Sequence, residues 1–516
     1  MNYGDIFPKI VSHCKEHGFI FPSSEIYDGL SATYDYGPLG VLMKRNLTRL
    51  WWQAMTRLHE NVVGLDAAIL MAPKVWKASG HVDAFNDPLI DNKDSKKRYR
   101  ADVLVEEFIQ KQQQKALKEA EKKAQKEGWT PESEEYQRFL SNCRPGKKAT
   151  ETAEALAAAM NASDLVALKN LIDELEIADP ETGSRNWTDV RQFNLMFKTQ
   201  LGQIADEAGD LYLRPETAQG IFVNFLNVQK SMRMKVPFGI AQIGKAFRNE
   251  IIARQFIFRM REFEQMEMQF FVRPGTQQEW FEHWKEKRRA WHLALGLKPE
   301  RLRVHVHDKL AHYADAAVDF EFEFPFGFKE LEGIHSRTDF DLRRHMESSG
   351  KKLQYFDSET EESYIPYVVE TSVGLDRSFL SHLCNAYDEE EVPTASGDTD
   401  VRTVLRLHPA VAPVQAAILP LVKKDGFPEV ARKLYDALKF DYDLYYDEKD
   451  AIGRRYRRQD AKGTPYCITI DQQTKEDETV TVRERDSMQQ ERIALGAVEH
   501  WLADRLNLRA TLAGFA

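Results

Sequence analysis

The stretch 259–269, RMREFEQMEMQ, alternates charged with large apolar side chains. On a strand, successive side chains point to opposite faces. Arg259, Arg261, Phe263, Gln265, Glu267 and Gln269 then share one face, and Met260, Glu262, Glu264, Met266 and Met268 the other. The first face is a polar platform with arginines at one end, a ring in the middle and a carboxylate beyond. Buried charge is costly unless it is paired or used. Just upstream, AFRNE places Arg248 and Glu250 on one face of a second strand, with IIARQFIF as the hairpin loop. Guanidinium suits phosphate through its fork geometry and permanent charge, and a ring such as Phe263 can stack a base. A surface ladder of cross-strand Arg–Glu pairs has the same composition.

Two further segments decide between these readings. In YVVETSVGLDRSF, Glu370 and Ser372 share a strand face, Gly374 allows a turn, and Arg377 opens the next helix. An arginine beside a helix N-terminus favours phosphate. In LYLRPETAQG, Glu216 follows a strand directly after a proline. Several arginines, several carboxylates and one ring are the inventory for ATP beside a small cationic group.

These residues need a scaffold. Short strands fill 186–384 and predict one large antiparallel sheet. Residues 34–58 predict a helix with Pro38 at its first position and a stripe of Leu39, Leu42, Met43, Leu47, Leu50, Trp51, Ala54, Met55 and Leu58. That stripe suits either the chain's own core or a second subunit. Residues 105–185 are rich in Ala, Lys, Glu and Gln and predict solvated helices in an insertion. The acidic, Pro- and Gly-containing run at 388–402 predicts a linker. Strand and helix signals then alternate over 403–516, an α/β domain.

The 516 residues exceed one core, so several domains are expected. A composition of 42% hydrophobic and 29% charged residues is that of a globular protein, and the net charge of −10 does not advertise nucleic-acid binding. The N-terminal stretch lacks a secretory signature and no run approaches a membrane span. Cys14, Cys143, Cys384 and Cys467 lie far apart, which opposes a disulfide framework or structural zinc site and fits a reducing cytoplasm. His305 and His307 alternate on a strand with no third ligand, so a structural role is expected.

The order YDYGPLG, then FRNE with RMREFEQME, then ETSVGLDR resembles the three motifs of class II aminoacyl-tRNA synthetases. RPETAQG, VWKASGHVDAF, RQFNLMFKT, ELEGIHSRTDFDL and GRRYRRQDAKGTPYCITID are similar to bacterial-type glycyl-tRNA synthetases. The resemblance spans most of the chain and is weakest over 110–180. It implies an α+β catalytic domain over 1–104 and 186–387 and an anticodon-binding domain over 403–516. It implies that Arg248 binds the α-phosphate and the glycine carboxylate, Glu250 the adenine amino group, and Phe263 the adenine face. Arg259 and Arg377 would hold the γ-phosphate, making Arg248, Arg259 and Arg377 the catalytic set. The wider ATP contact set is Asn249, Phe258, Met260, Arg261, Glu262, Glu330, Leu331, Gly374, Leu375 and Asp376, with Glu330 a Mg²⁺ ligand. Glu216, Glu267, Glu370 and Ser372 would surround the glycine ammonium, joined in the glycine contact set by Arg100, Glu264, Gln265, Met266, Thr371 and Val373. Arg454, Arg455, Arg457 and Arg458 around Tyr456 would touch tRNA. Some relatives carry cysteine pairs near 91–96 and 143; Asn92, Ser95 and the lone Cys143 stand here, so no zinc is expected. The partners implied are ATP, glycine, the glycine tRNA and a second subunit joined through the 39–58 helix. A synthetase for threonine, proline or histidine and a non-catalytic nucleic-acid-binding relative are the competing readings; the glycine-type phrases oppose the first and the retained arginines the second.

Overall fold

The computed structural model describes residues 3–131, 133–200, 210–251, 255–307, 310, 314–393, 399–513 and 515. The sheet that carries the site has seven strands. They are β1 (Val62–Gly64), β2 (Phe238–Phe247), β3 (Glu262–Val272), β4 (Leu302–Val306), β5 (Ala316–Phe324), β6 (Gly327–Thr338) and β7 (Tyr367–Gly374). Their order across the sheet is β4-β5-β6-β7-β3-β2-β1. All neighbours are antiparallel except β1 and β2, so the sheet is mixed at one edge.

Five helices bear on it: α1 (Pro38–Thr56), α2 (Ala218–Met232), α3 (Gln277–Ala294), α4 (Phe340–Ser349) and α5 (Leu375–Ala386). Met266, Met268 and Phe270 of β3 pack in one core with Met43, Leu47, Leu50, Trp51, Ala54 and Met55 of α1. Most of the α1 stripe is therefore committed to its own sheet, while Leu39, Leu42 and Leu58 stay half-buried. At the β3 end beyond Phe270 the other face is covered: Phe222 and Phe225 of α2 meet Phe238 and Phe271. The α1 core also encloses charge. Arg288 and His292 of α3 both bond Glu332 of β6, at 2.6 Å each, and all three are fully buried. Removing one partner from such a cluster costs about 3–5 kcal/mol.

A β-bulge decides what β6 shows to the site. Phe320 pairs with Glu332 and Glu321 with Glu330, leaving Leu331 as the extra residue. A bulge re-aims the side chains beside it. Leu331 and Glu332 turn into the core while Glu330 is exposed.

Two boundaries differ from expectation. A second compact unit comprises Gly80–Met196 with Asn249–Ile252, so the insertion starts well before 105 and runs past 185. The cause is a three-stranded sheet in which Asn86–Asp91 pairs with both Arg98–Arg100 and Arg191–Asn194, closing the root of the helices. The 92–97 loop is held by hydrogen bonds: Asn92 Oδ1 accepts from the Asp94 and Ser95 amides at 3.1 Å, and Ser95 Oγ donates to Asp179. The expected linker at 388–402 is instead a β-hairpin, Tyr387–Pro393 against Thr399–Leu405, with 394–398 outside the described residues. Its acidic side chains are explained by pairing, since Arg402 and Arg406 both bond Glu390. The C-terminal segment forms a five-stranded mixed sheet, parallel around Ala416–Pro420 and antiparallel beyond Tyr466–Ile470, with a core of its own.

Candidate active site

The polar face of β3 is where the charges converge. Glu267 sits opposite Ser372 of β7 on one side and Gln242 of β2 on the other. Glu267 is only 2% exposed and Gln269 not at all. The Gln269 amide bridges two carboxylates, donating to Glu267 Oε1 and to Glu370 Oε2, both at 2.6 Å. The Thr217 hydroxyl donates to the other Glu267 oxygen. Gln265 accepts from the Thr217 amide at 3.2 Å and donates to Ser372 Oγ at 3.3 Å. Glu370 also accepts from Arg337 Nη1 at 3.1 Å, and His335 Nδ1 lies 3.0 Å from its other oxygen. Gln219 Nε2 donates to Glu216 Oε1 at 2.9 Å.

The two central carboxyls are pushed in opposite directions. Burial, then the nearby Glu370 and Glu216, raise Glu267 well above the usual carboxylate range. Glu370 is equally buried, but Arg337 and the His335 bond outweigh burial and hold it below that range. Three carboxyls, the buried Glu267 and Glu370 and the half-buried Glu216, thus bear on one another, and their repulsion favours the neutral form of Glu267.

At the other end of β3 the arginines gather. β2 ends at Phe247 and β3 begins at Glu262, so Arg248, Glu250, Arg259 and Arg261 lie outside the strands and the expected alternation fails for them. The intervening segment turns through Phe256–Phe258, and residues 252–254 lie outside the described residues. Arg248 still reaches the platform: its guanidinium lies 5.2 Å from the centre of the Phe263 ring and its Nε donates to Pro215 O at 3.1 Å. Arg377, in the first turn of α5, bonds Glu330 Oε2 at 3.0 Å and covers the Phe258 ring at 4.4 Å. That guanidinium, aided by Arg248, holds Glu330 below the usual carboxylate range. Arg259 is half-buried with no ion-pair partner among the described residues. Arg261 turns away, its guanidinium donating to Ser31 O at 2.9 Å.

Several expected contacts have side chains elsewhere. Met260, Met266, Leu331, Val373 and Leu375 have their side chains in the α1 core, and Thr371 and Phe258 are buried. Glu262 pairs with Lys245 and Glu264 with Lys44 of α1, which accounts for the charge on the far face of β3. Asp376 is a buried brace, accepting from the Tyr36 hydroxyl and from the Glu264 amide at 2.8 Å. Gly374 caps α5. Arg100 belongs to the second unit, where it pairs with Asp87 and Asp102; Asn249 and Glu250 are also part of that unit.

Sequence reasoning placed Gln269 on the polar face without a role and missed Thr217, Gln219, His335, Arg337 and Asp341. Their signal was present in TAQG directly after Glu216 and in HSRTDFD, where Arg337 and Asp341 stand four residues apart. In the C-terminal domain, GRRYRRQD lies in a helix, α6 (Ile452–Lys462). Arg455 is fully buried and donates to the carbonyls of Pro420, Asp447 and Leu421, so it cannot meet RNA. Arg458 pairs with Asp447 and Asp450, whereas Arg454 is exposed. His307 lies 2.9 Å from Asp319.

Comparison with known proteins decides the family. A glycine–tRNA ligase of Chlorobaculum tepidum is 54% identical over 502 residues, covering 96% of this chain and 99% of its own. Those of Treponema denticola and Geobacillus thermodenitrificans are 50% and 48% identical, over 94% and 96% of this chain and 94% and 97% of their own. The chain belongs to the glycine–tRNA ligase family. Within a ligase of this family the parts fall into place: residues 87–195 match glycyl-tRNA synthetase insertion domain 1, 197–387 the tRNA synthetase class II core domain (G, H, P, S and T), and 415–505 an anticodon binding domain. The first span agrees with the second compact unit and replaces the 105–185 insertion expected from composition. Solved prolyl-tRNA synthetases share the glycine–tRNA ligase fold: one from Giardia lamblia has a TM-score of 0.58 at 15% identity, covering 96% of this chain and 75% of that one, and one from Cryptosporidium parvum has 0.57 at 13%, covering 98% and 77%.

Proposed function

We propose that the protein joins glycine to the 3′ end of its tRNA in two steps on the polar face of β3. The observation that carries this reading is the gathering of the buried Glu267 and Glu370 with the half-buried Glu216 at the far end of a platform whose near end holds Arg248, Phe263 and Arg377. Such a pocket suits a compact ammonium, and the near end suits a nucleoside triphosphate. Several assignments come from family likeness and gain from this geometry: Phe263 under adenine, Arg248 on the α-phosphate, Arg259 and Arg377 on the γ-phosphate.

The glycine carboxylate is ionised at neutral pH, so its attack on the α-phosphorus needs alignment and charge stabilisation and no general base. A carboxylate oxygen–phosphorus bond forms and the bond to the β-phosphate oxygen breaks. Glycyl-adenylate and pyrophosphate result. The terminal ribose hydroxyl of tRNA then attacks the glycyl carbonyl, AMP leaves, and the hydroxyl proton is lost to solvent. Arg248 serves the first step by meeting the charge that grows on the phosphoryl oxygens. Mg²⁺ bound with ATP would neutralise phosphate charge, and the exposed carboxylate of Glu330 fits it, since Mg²⁺ takes one or two carboxylates beside phosphate oxygens. Larger amino acids are excluded by filling the side-chain space, and glycine has no smaller competitor, so discrimination needs no second hydrolytic site.

On α6, Arg454 and Arg457 remain as tRNA contacts once Arg455 and Arg458 are accounted for. A second copy of the chain is the proposed partner, met through the 39–58 helix, whose Leu39, Leu42 and Leu58 are half-buried, with Ile26, Tyr27 and Leu30, at 88%, 79% and 59% exposed, as further apolar surface. The cytoplasm is the proposed location, supported by four unpaired buried cysteines; no helix of the described residues is long and apolar enough to cross a membrane. Incubation with ATP, Mg²⁺, total tRNA and labelled glycine tests the reading: label becomes attached to tRNA only when all are present, and its failure to do so with folded protein refutes the assignment.

A further inference from the structure

We propose that α4 is the positioning element of the amino-acid pocket: Asp341 and His345, acting through Gln219 and Arg337, set the two carboxylates Glu216 and Glu370 that flank the substrate ammonium. This rests on the reading above that Glu216 and Glu370 meet that ammonium.

Asp341 and His345 stand at i and i+4, so α4 presents them on one face. Both are buried, as are Gln219 and Arg337. Gln219 Nε2 donates to Glu216 Oε1 at 2.9 Å and to Asp341 Oδ1 at 3.1 Å. With its amide hydrogens committed to two carboxylates, the oxygen of Gln219 must face a donor. His345 Nε2 lies 2.8 Å from it. The imidazole is therefore the Nε2–H tautomer, and it fixes which way the amide points. Burial keeps that ring neutral by lowering its proton affinity. On the other side, Arg337 donates to both Asp341 oxygens, at 2.9 and 3.2 Å, and to Glu370 at 3.1 Å. Asp341 is thus the common acceptor of two arms, one ending at Glu216 and the other at Glu370.

The pocket needs such a device for an electrostatic reason. Three carboxyls close together, two of them buried, repel, and without fixed donors they separate or take up protons. The donors that reach Glu216 and Glu370 are rigid because one helix turn holds both. Binding of a ligand with a single small cationic group depends on that spacing.

The test uses the full-length protein in glycine-dependent exchange of pyrophosphate into ATP. His345→Leu removes the donor to Gln219, and glycine KM should rise about tenfold while ATP KM and kcat stay within about twofold. His345→Asn keeps polarity but is too short to reach Gln219 and should behave as His345→Leu does, which keeps the test open if the leucine variant does not fold. His345→Gln places an amide nitrogen where Nε2 stands and should restore glycine KM to within about threefold of the parent. Glu216→Gln serves as the reference. If Glu216→Gln raises glycine KM and neither His345→Leu nor His345→Asn does, the positioning role is wrong. It is equally wrong if glycine and ATP KM rise together or if His345→Gln fails to rescue. If Glu216→Gln itself leaves glycine KM unchanged, the reading of the pocket fails and not only this proposal.

Discussion

Replacing Arg337 by methionine removes the charge that keeps Glu370 ionised. The guanidinium is buried and donates to Glu370 at 3.1 Å and twice to Asp341. At a charge separation of roughly 4 Å and an effective dielectric of about 20, the Glu370 attraction alone is on the order of 4 kcal/mol. Loss of one partner from a buried pair costs about 3–5 kcal/mol by mutation. In the parent, Glu370 sits below the usual carboxylate range because Arg337 and His335 overcome burial. A carboxyl lowered in this way adds stability above its unfolded pKa, and that stability is lost as pH falls through the folded value. In Arg337→Met, burial and the neighbouring Glu267 and Glu216 act with less opposition, and the Glu370 pKa moves up. The parent gains stability as pH rises from about 2 to the unfolded carboxylate value and the variant does not, so the gap between them widens across that window. A protonated Glu370 also withdraws one charge from the ammonium site, worth about 1.5–3 kcal/mol, or roughly a 10- to 150-fold rise in glycine KM. Thermal unfolding at several pH values and exchange kinetics with glycine measure both effects. A folded Arg337→Met protein with parental glycine KM and a gap in unfolding temperature that does not change with pH refutes the reasoning.

Other consequences are equally direct. Because Glu267 is raised above the carboxylate range and must ionise to meet an ammonium, glycine KM should fall as pH rises through that ionisation, and Glu267→Gln should flatten the dependence; a parental profile in the variant contradicts it. Arg377→Ala should lower the exchange rate about 100-fold or more without unfolding the protein, and retained activity would show that its phosphate role is misassigned. Arg455→Leu should lower the melting temperature of the C-terminal domain, since three carbonyls lose their donor, whereas Arg454→Ala should weaken only tRNA binding; equal effects on stability argue against the burial difference. Glu332→Gln should destabilise the catalytic core by about 3–5 kcal/mol, readable as an earlier unfolding transition; an unchanged transition removes the claim that the α3 cluster supports the sheet.

The sequence alternation served well inside the strands and poorly at their ends. Phe263, Gln265, Glu267 and Gln269 fall on one face of β3 as their period of two requires, but Arg259 and Arg261 precede the strand and follow loop geometry that periodicity does not encode. Glu262 and Glu264 became intelligible only when Lys245 and Lys44, from β2 and α1, were brought against them. The bulge at Leu331 reverses the facing of Glu330 relative to Glu332, and no local residue type announces it. Composition marked the lysine- and alanine-rich helices of the insertion but not the short strands at its root, because their pairing joins residues about a hundred positions apart. Arg455 shows the limit of composition most clearly: four arginines around a tyrosine read as one basic surface, and tertiary packing turns one of them inward.

The central claim is that one face of β3 binds ATP at one end and the smallest amino acid at the other. It is tested most directly by pyrophosphate exchange into ATP with each of the twenty amino acids in turn. Exchange that is strong with glycine and weak with every other amino acid is the predicted result. Exchange with alanine or threonine in place of glycine, or with none of the twenty, contradicts it.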